Sequence, residues 1–368
     1  MRRILTAILL GWGMFAGEVL AADRVLGVGE EFRFSFRCRW TDYYDSISYT
    51  ATLDPGMAIV AAPSSRLDVA IEMARPADTS VDHTIAVQMT PSFDQVGGYV
   101  VRRNGELALM LPDTGGSFPM LLTYRPTPRS PADTLTLTVL VPKAIRFQRS
   151  RINGYLIGQY PPPAGGRSIP DRFVEIWPEL MELHLSSQFH IHDFVSNSRT
   201  DDQRRFFPKY AVIRYSLIQK VEKLVTLIDR SPNFQCKGIR VLSGYRTPDY
   251  NHAVPEAAYN SYHQYGLAAD IIVDSNPADG EFDDLNQDGK VNIYDAANLA
   301  QICDYLENAG AIEPGGIGLY EYKHRLPGGK YYTSYHIHVD VRPKDAKRTR
   351  WGYEFQDGRR VARLVWRK

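Results

Sequence analysis

Cysteine is scarce in this chain of 368 residues, which has only Cys38, Cys236 and Cys303. No Cys-x-x-Cys pair occurs, which excludes a zinc ribbon and a thioredoxin-type redox site. A surplus of charge is lacking as well: 43 Lys and Arg face 42 Asp and Glu, a formal net charge of +1. A nucleic-acid binder needs a basic surface to neutralise phosphates, so this balance excludes a dedicated one. Long apolar runs are also missing. The best, residues 4–15, is too short to span a bilayer.

That run has a different meaning. Met1-Arg2-Arg3 is a short basic lead, and Val19-Leu20-Ala21-Ala22 ends the segment in small residues before Asp23. This is the layout of a secretory signal peptide, cut after Ala21 or Ala22, with a retained N-terminal anchor as the alternative. The expectation is an exported protein, periplasmic or extracellular, with no transmembrane segment once residues 1–22 are removed. No cysteine near the cleavage point offers a lipid anchor. Oxidising surroundings permit one disulfide among three cysteines. Cys236 with Cys303 is the preferred pair, and three buried thiols are the alternative.

The length predicts two domains. From Glu31 to Lys143 short runs alternate with period two, as in Phe32-Arg-Phe-Ser-Phe-Arg and Leu135-Thr-Leu-Thr-Val-Leu-Val. This predicts an all-β, sandwich-like accessory domain over 23–145. Residues 146–206 read as a Pro- and Gly-rich connector, with Tyr160-Pro-Pro-Pro-Ala-Gly-Gly as its strongest breaker cluster. His184, His190 and His192 fall within it, and surface or packed histidines are commoner than ligands. Apolar spacing from Val212 to Ile228 and from Ile293 to Asn308 predicts two helices, and Ile271-Ile-Val a buried strand. Residues 207–345 therefore read as a compact α+β domain.

Alternation on the strand His336-Ile-His338-Val-Asp340 puts three ionisable side chains on one face. That pattern by itself fits a solvated face or a His–Asp pair as well as a metal site. It is joined by Ser243-Gly-Tyr-Arg-Thr-Pro, by Asn260-Ser-Tyr-His263-Gln-Tyr-Gly-Leu-Ala-Ala-Asp270 and by Gly315-Gly-Ile-Gly. In that order the islands resemble the zinc D-alanyl-D-alanine carboxypeptidase and murein endopeptidase family, whose fold is shared by the hedgehog signalling domain. The resemblance spans roughly residues 207–345 and implies a zinc held by His263, Asp270 and His338 with water in the fourth place. It also implies that Arg246 stabilises oxyanion or carboxylate charge and that Ser261 hydrogen-bonds substrate. Pairing with Asp249 or a helix cap is the structural alternative for Arg246. Where several family members carry a general-base acid, this chain has Tyr335. His336, Asp340 and Glu321 are the candidates for the base, with His336 favoured.

A second metal is read from Asp284-Leu-Asn286-Gln-Asp288-Gly-Lys290-Val-Asn292-Ile-Tyr-Asp295. Oxygen ligands at positions 1, 3, 5, 9 and 12, Gly at 6 and a carbonyl at 7 match a twelve-residue calcium loop. The closing Asp resembles a dockerin repeat, present here in one copy. An Asx-rich loop capping the next helix is the alternative. Residues 346–368 are basic and read as a hairpin, with a solvated face as the default.

Together these imply an exported zinc peptidase acting on peptidoglycan stems or cross-links, with structural calcium. Two other readings stand beside it. One is a zinc-containing module that binds peptidoglycan without cleaving it. The other is a calcium-dependent envelope protein whose β domain carries the function.

Overall fold

The computed structural model describes residues 34–365, apart from 55, 74–83, 90–98, 103–105, 126–132, 146–149, 163–166, 196–203, 231–236, 256, 276–277, 326, 343–347 and 357–358. The leader at 1–22, Cys236, Lys344, Lys347, Arg367 and Lys368 lie outside the described residues. The chain is a mixed α/β protein in which strands predominate. Among the described residues no helix is long and apolar enough to cross a membrane.

The first nine strands are β1 (Phe34–Thr41), β2 (Ser48–Leu53), β3 (Met57–Val60), β4 (Arg66–Met73), β5 (Thr84–Met89), β6 (Tyr99–Arg102), β7 (Glu106–Met110), β8 (Gly116–Arg125) and β9 (Asp133–Val141). They form two sheets, ordered β2-β1-β4-β7 and β3-β9-β8-β5-β6. Alternation sends Trp40, Leu67 and Val69 of one sheet and Met120, Leu122, Leu137 and Val139 of the other into a common core.

The stretch between 146 and 206 does more than connect. Short strands β10 (Lys143–Ala144), β11 (Arg151–Ile152), β12 (Tyr155–Leu156) and β13 (Arg172–Ile176) precede helix α1 (Ile191–Phe194) and strand β14 (Lys209–Ala211). Their side chains, among them Tyr155, Phe173, Ile176, Ile191 and Phe194, are buried in the larger core. Apolar residues scattered among breakers carry no period, which is why burial here is invisible to pattern reading.

That larger core is built on a sheet ordered β15-β16-β18-β17-β19-β20. Its strands are β15 (Ile239–Ser243), β16 (Ala268–Val273), β17 (Gly316–Arg325), β18 (Tyr331–Asp340), β19 (Thr349–Gln356) and β20 (Arg359–Val365). Helix α2 (Tyr215–Arg230) contributes Leu217, Ile218, Val221, Leu224, Val225 and Ile228, spaced three and four apart. After the short helix α3 (Pro248–Ala253), helix α4 (Ile293–Asn308) begins on a capping box: Asn292 accepts from Tyr294 N, and Asp295 accepts from Asn292 N at 2.8 Å. The C-terminal hairpin is part of the sheet, because β19 pairs in parallel with β17.

Cys303 is a free thiol with no exposed surface in this core, not half of the expected disulfide with Cys236. Its place on the buried face of α4, among Leu299, Ala300 and Leu306, makes it a small core hydrophobe. Arg214 joins the two parts of the molecule: it donates to the Tyr44 carbonyl at 2.6 Å, to Asp45 at 3.0 Å and to the Tyr265 carbonyl at 2.9 Å.

Candidate metal centre

Strands β16 and β18 pair so that Asp270 lies opposite His338. His263 comes from a single 3₁₀ turn, Tyr262–Tyr265, which Ser261 caps and Gly266 ends in the left-handed region at φ 65°. A strand pair fixes two of the side chains and a capped turn the third. Their atoms converge: His263 Nε2 is 3.1 Å from His338 Nδ1, and each is 3.2 Å from Asp270 Oδ1. A tetrahedral ion with bonds of about 2.0–2.1 Å sets its ligand atoms about 3.3 Å apart. The triangle has that size.

The tautomers fit as well. His263 Nδ1 lies 2.7 Å from the Gly244 carbonyl, which can only accept, so Nδ1 carries the proton and Nε2 is bare. His338 Nε2 faces Asp340 Oδ2 at 3.4 Å, which leaves Nδ1 bare in the same way. Two lone pairs and a carboxylate oxygen at this separation repel one another until a cation lies between them. Both outer partners are of the kind that orient metal-binding histidines. The donor set fits a metal ion.

Charge agrees with geometry at His263 and Asp270, while at His338 a proton competes with a cation. Burial, then the Arg246 guanidinium, pushes His263 down to about 4 and keeps its imidazole neutral. Burial opposes the Asp270 carboxylate, but His263, Arg246 and His336 hold it well below the usual carboxylate range. Burial also opposes charge on His338, and its bonds to Asp270 and Asp340 outweigh this and raise it.

Arg246 donates Nε to Ser243 Oγ at 2.9 Å and pairs through Nη2 with Asp270, so its partner is the carboxylate of the triangle and not Asp249. Ser261 Oγ accepts from His263 N at 3.4 Å and borders the cleft. His336 stands on the cleft face with Nε2 3.9 Å from Asp270 Oδ1, its ring stacked on Tyr320 at 5.0 Å. Burial lowers its pKa. The other two candidate bases are placed differently. Asp340 is buried and gripped by Arg342 at 2.8 Å on each oxygen, and Glu321 does not border the cleft. Tyr335 alternates away from His336 and packs against the core.

The centre opens into a cleft of about 410 Å³. Its walls include Arg167, Tyr262, Tyr320, Tyr322, Arg342 and Trp351, which the motifs did not single out. Arg342 was within reach, since it continues the alternation of His336, His338 and Asp340. Trp351 arrives through the parallel β17–β19 pairing, where it covers Gly318; a Cβ there would come within 2.4 Å of its indole. Arg167 stacks over the Tyr262 ring at 4.1 Å from the stretch read as connector. Neither long-range approach leaves a local signal.

The loop 284–295 turns its carboxylates on its own backbone. Asp284 accepts from Asp288 N at 3.1 Å and Gly289 N at 2.7 Å, Asp288 from Lys290 N at 2.9 Å, and Asp295 from Asn286 N at 3.1 Å. Asn292 spends its oxygen capping α4, with Tyr294 N at 2.8 Å, and its amide on the Lys290 carbonyl at 3.3 Å. Its three carboxylates do not bring ligand atoms within 4.8 Å of one another, although burial and then the nearby Asp284 and Asp288 raise the pKa of Asp295.

No family model matches the chain, and no curated protein matches it.

Proposed function

We propose that the chain is an exported zinc-dependent peptidase that hydrolyses peptidoglycan peptide stems or cross-links, as a D,D-carboxypeptidase or an endopeptidase. The observation that carries this reading is the triangle of His263 Nε2, Asp270 Oδ1 and His338 Nδ1, 3.1–3.2 Å on a side and open to the cleft. Bound zinc supplies Lewis acidity and a water ionised near neutral pH. With one carboxylate and two imidazoles offered by Asp270, His263 and His338, an ion held there would keep a net positive charge.

The chain's own residues supply the rest. His336, uncharged and on the cleft side of β18, accepts the proton released during attack and returns it to the leaving amine. Arg246 fixes Asp270 and borders the cleft. Arg342 is likewise committed to Asp340, and Arg167, over Tyr262 on the same wall, is suited to a substrate carboxylate. In this reading calcium at 284–295 is structural, stiffening the segment between β16 and α4.

One observation favours a second reading, a zinc module that binds peptidoglycan without cleaving it. Among the described residues the carboxylates that border the cleft are Asp270 and Asp340, and both are already engaged. Digestion of purified cross-linked muropeptides separates the two. Zinc-dependent cleavage that His338→Ala abolishes supports the peptidase. Binding without cleavage by the wild type supports the module.

A further inference from the structure

A second convergence of imidazoles lies around α1. His190 and His192 are stacked with ring centroids 5.1 Å apart and planes 9° from parallel, and His184 packs on His190 at 4.0 Å. Asp193 reaches both of the first pair: Oδ2 is 3.8 Å from His190 Nδ1, and Oδ1 is 3.5 Å from His192 Nε2. The Met181 carbonyl lies 3.2 Å from His192 Nδ1 and can only accept, so the proton of the neutral ring is on Nδ1 and Nε2 is bare. A bare nitrogen facing a carboxylate oxygen is the same unfavourable arrangement met at the first centre, and a cation relieves it.

We propose that His190, His192 and Asp193 form a second site, for a divalent transition metal of the imidazole-preferring class such as zinc. One ligand atom from each lies within 4.8 Å of the others. The 3.8 and 3.5 Å separations belong to different oxygens of Asp193, and Oδ2 also accepts from His190 N at 2.8 Å, so rotation of the carboxylate is what would offer one oxygen to an ion held by both rings. Two imidazoles disfavour calcium and magnesium, which take oxygen ligands. His192 is 41% exposed at its side chain, which gives an ion access from solvent. The site sits behind the first one. Helix α1 ends at Phe194, whose carbonyl accepts from Tyr245 N at 2.9 Å, next to the Gly244 carbonyl that holds His263. An ion here anchors the segment that backs that contact, whether or not the first centre is catalytic.

The test is zinc stoichiometry by atomic emission on metal-stripped full-length protein reloaded with Zn²⁺ in excess Ca²⁺. The wild type is expected to hold two zinc ions, His190→Gln/His192→Gln to lose one, and His263→Ala/His338→Ala to lose the other. A wild type and His190→Gln/His192→Gln variant with equal zinc would overturn the second site, whereas equal zinc in wild type and His263→Ala/His338→Ala would count against the first. Carbethoxylation of the wild type, read by mass spectrometry, needs no variant. Zinc is expected to shield His190 and His192, and modification unchanged by zinc would also overturn the proposal.

Discussion

Asp340 stands directly behind His338, its Oδ2 3.4 Å from His338 Nε2 while Arg342 holds both of its oxygens at 2.8 Å. The carboxylate has no exposed surface, and burial would favour its neutral form. His338 and Arg342 override this and hold it below the usual carboxylate range. It therefore orients the imidazole and makes it a better donor toward any ion the triangle would hold. Replacing it with Asp340→Asn keeps the shape and removes the charge. Zinc affinity is expected to fall about 10–100-fold, measured by competition with a chromophoric chelator. Unchanged affinity would remove Asp340 from the centre.

His336→Gln separates chemistry from metal binding. The side chain borders the cleft, 3.9 Å from Asp270 Oδ1 but outside the tight triangle. Muropeptide turnover should drop by about 10²–10⁴-fold with zinc content unchanged. Loss of zinc in this variant would make His336 a ligand instead of a base.

Gly244 is a point of contact between two segments. A Cβ there would come within 2.6 Å of Phe194 Cα and 3.0 Å of its carbonyl oxygen, both backbone atoms. Gly244→Ala must displace either the end of α1 or the turn at 244, and with the latter the carbonyl that holds His263 Nδ1. A cost of about 1–3 kcal/mol in denaturant unfolding is expected, as for other overpacked sites, together with weaker zinc binding. A variant with wild-type stability would show that the segment at 194 yields freely.

Burial pushes the thiols of Cys38 and Cys303 up to about 12. The thiolate is the reactive form, so with a raised pKa it is scarce at pH 8 and becomes abundant only above about 12. Neither should react with a thiol reagent at pH 8 in the native protein, and both should react on unfolding. Labelling at native Cys303, resolved by peptide mapping, would contradict its place in the core.

Calcium is tested by melting temperature. After chelation, returning calcium alone should restore the melting temperature if 284–295 binds it, because a ligand that binds only the folded state stabilises it. No recovery would assign the loop to capping α4.

Much of the centre was legible because its geometry is local. Alternation on one strand placed His336, His338 and Asp340 on a face, and the spacing from His263 to Asp270 runs from a capped turn straight into a strand. The helices at 215–230 and 293–308 announced themselves through three- and four-residue spacing. Residues that reach the cleft through tertiary pairing did not. Trp351 depends on β19 joining β17 in parallel, and Arg167 on a breaker-rich stretch folding back over Tyr262. The pairing of Arg246 with Asp270 likewise appears only when β15 and β16 lie side by side, with Ser243 opposite Asp270.

Anomalous diffraction at the zinc edge, from crystals grown with zinc, addresses the central claim most directly. The expected result is a peak about 2.0–2.2 Å from His263 Nε2, His338 Nδ1 and an Asp270 oxygen, facing the cleft. An empty triangle at saturating zinc, with the protein folded, would contradict it.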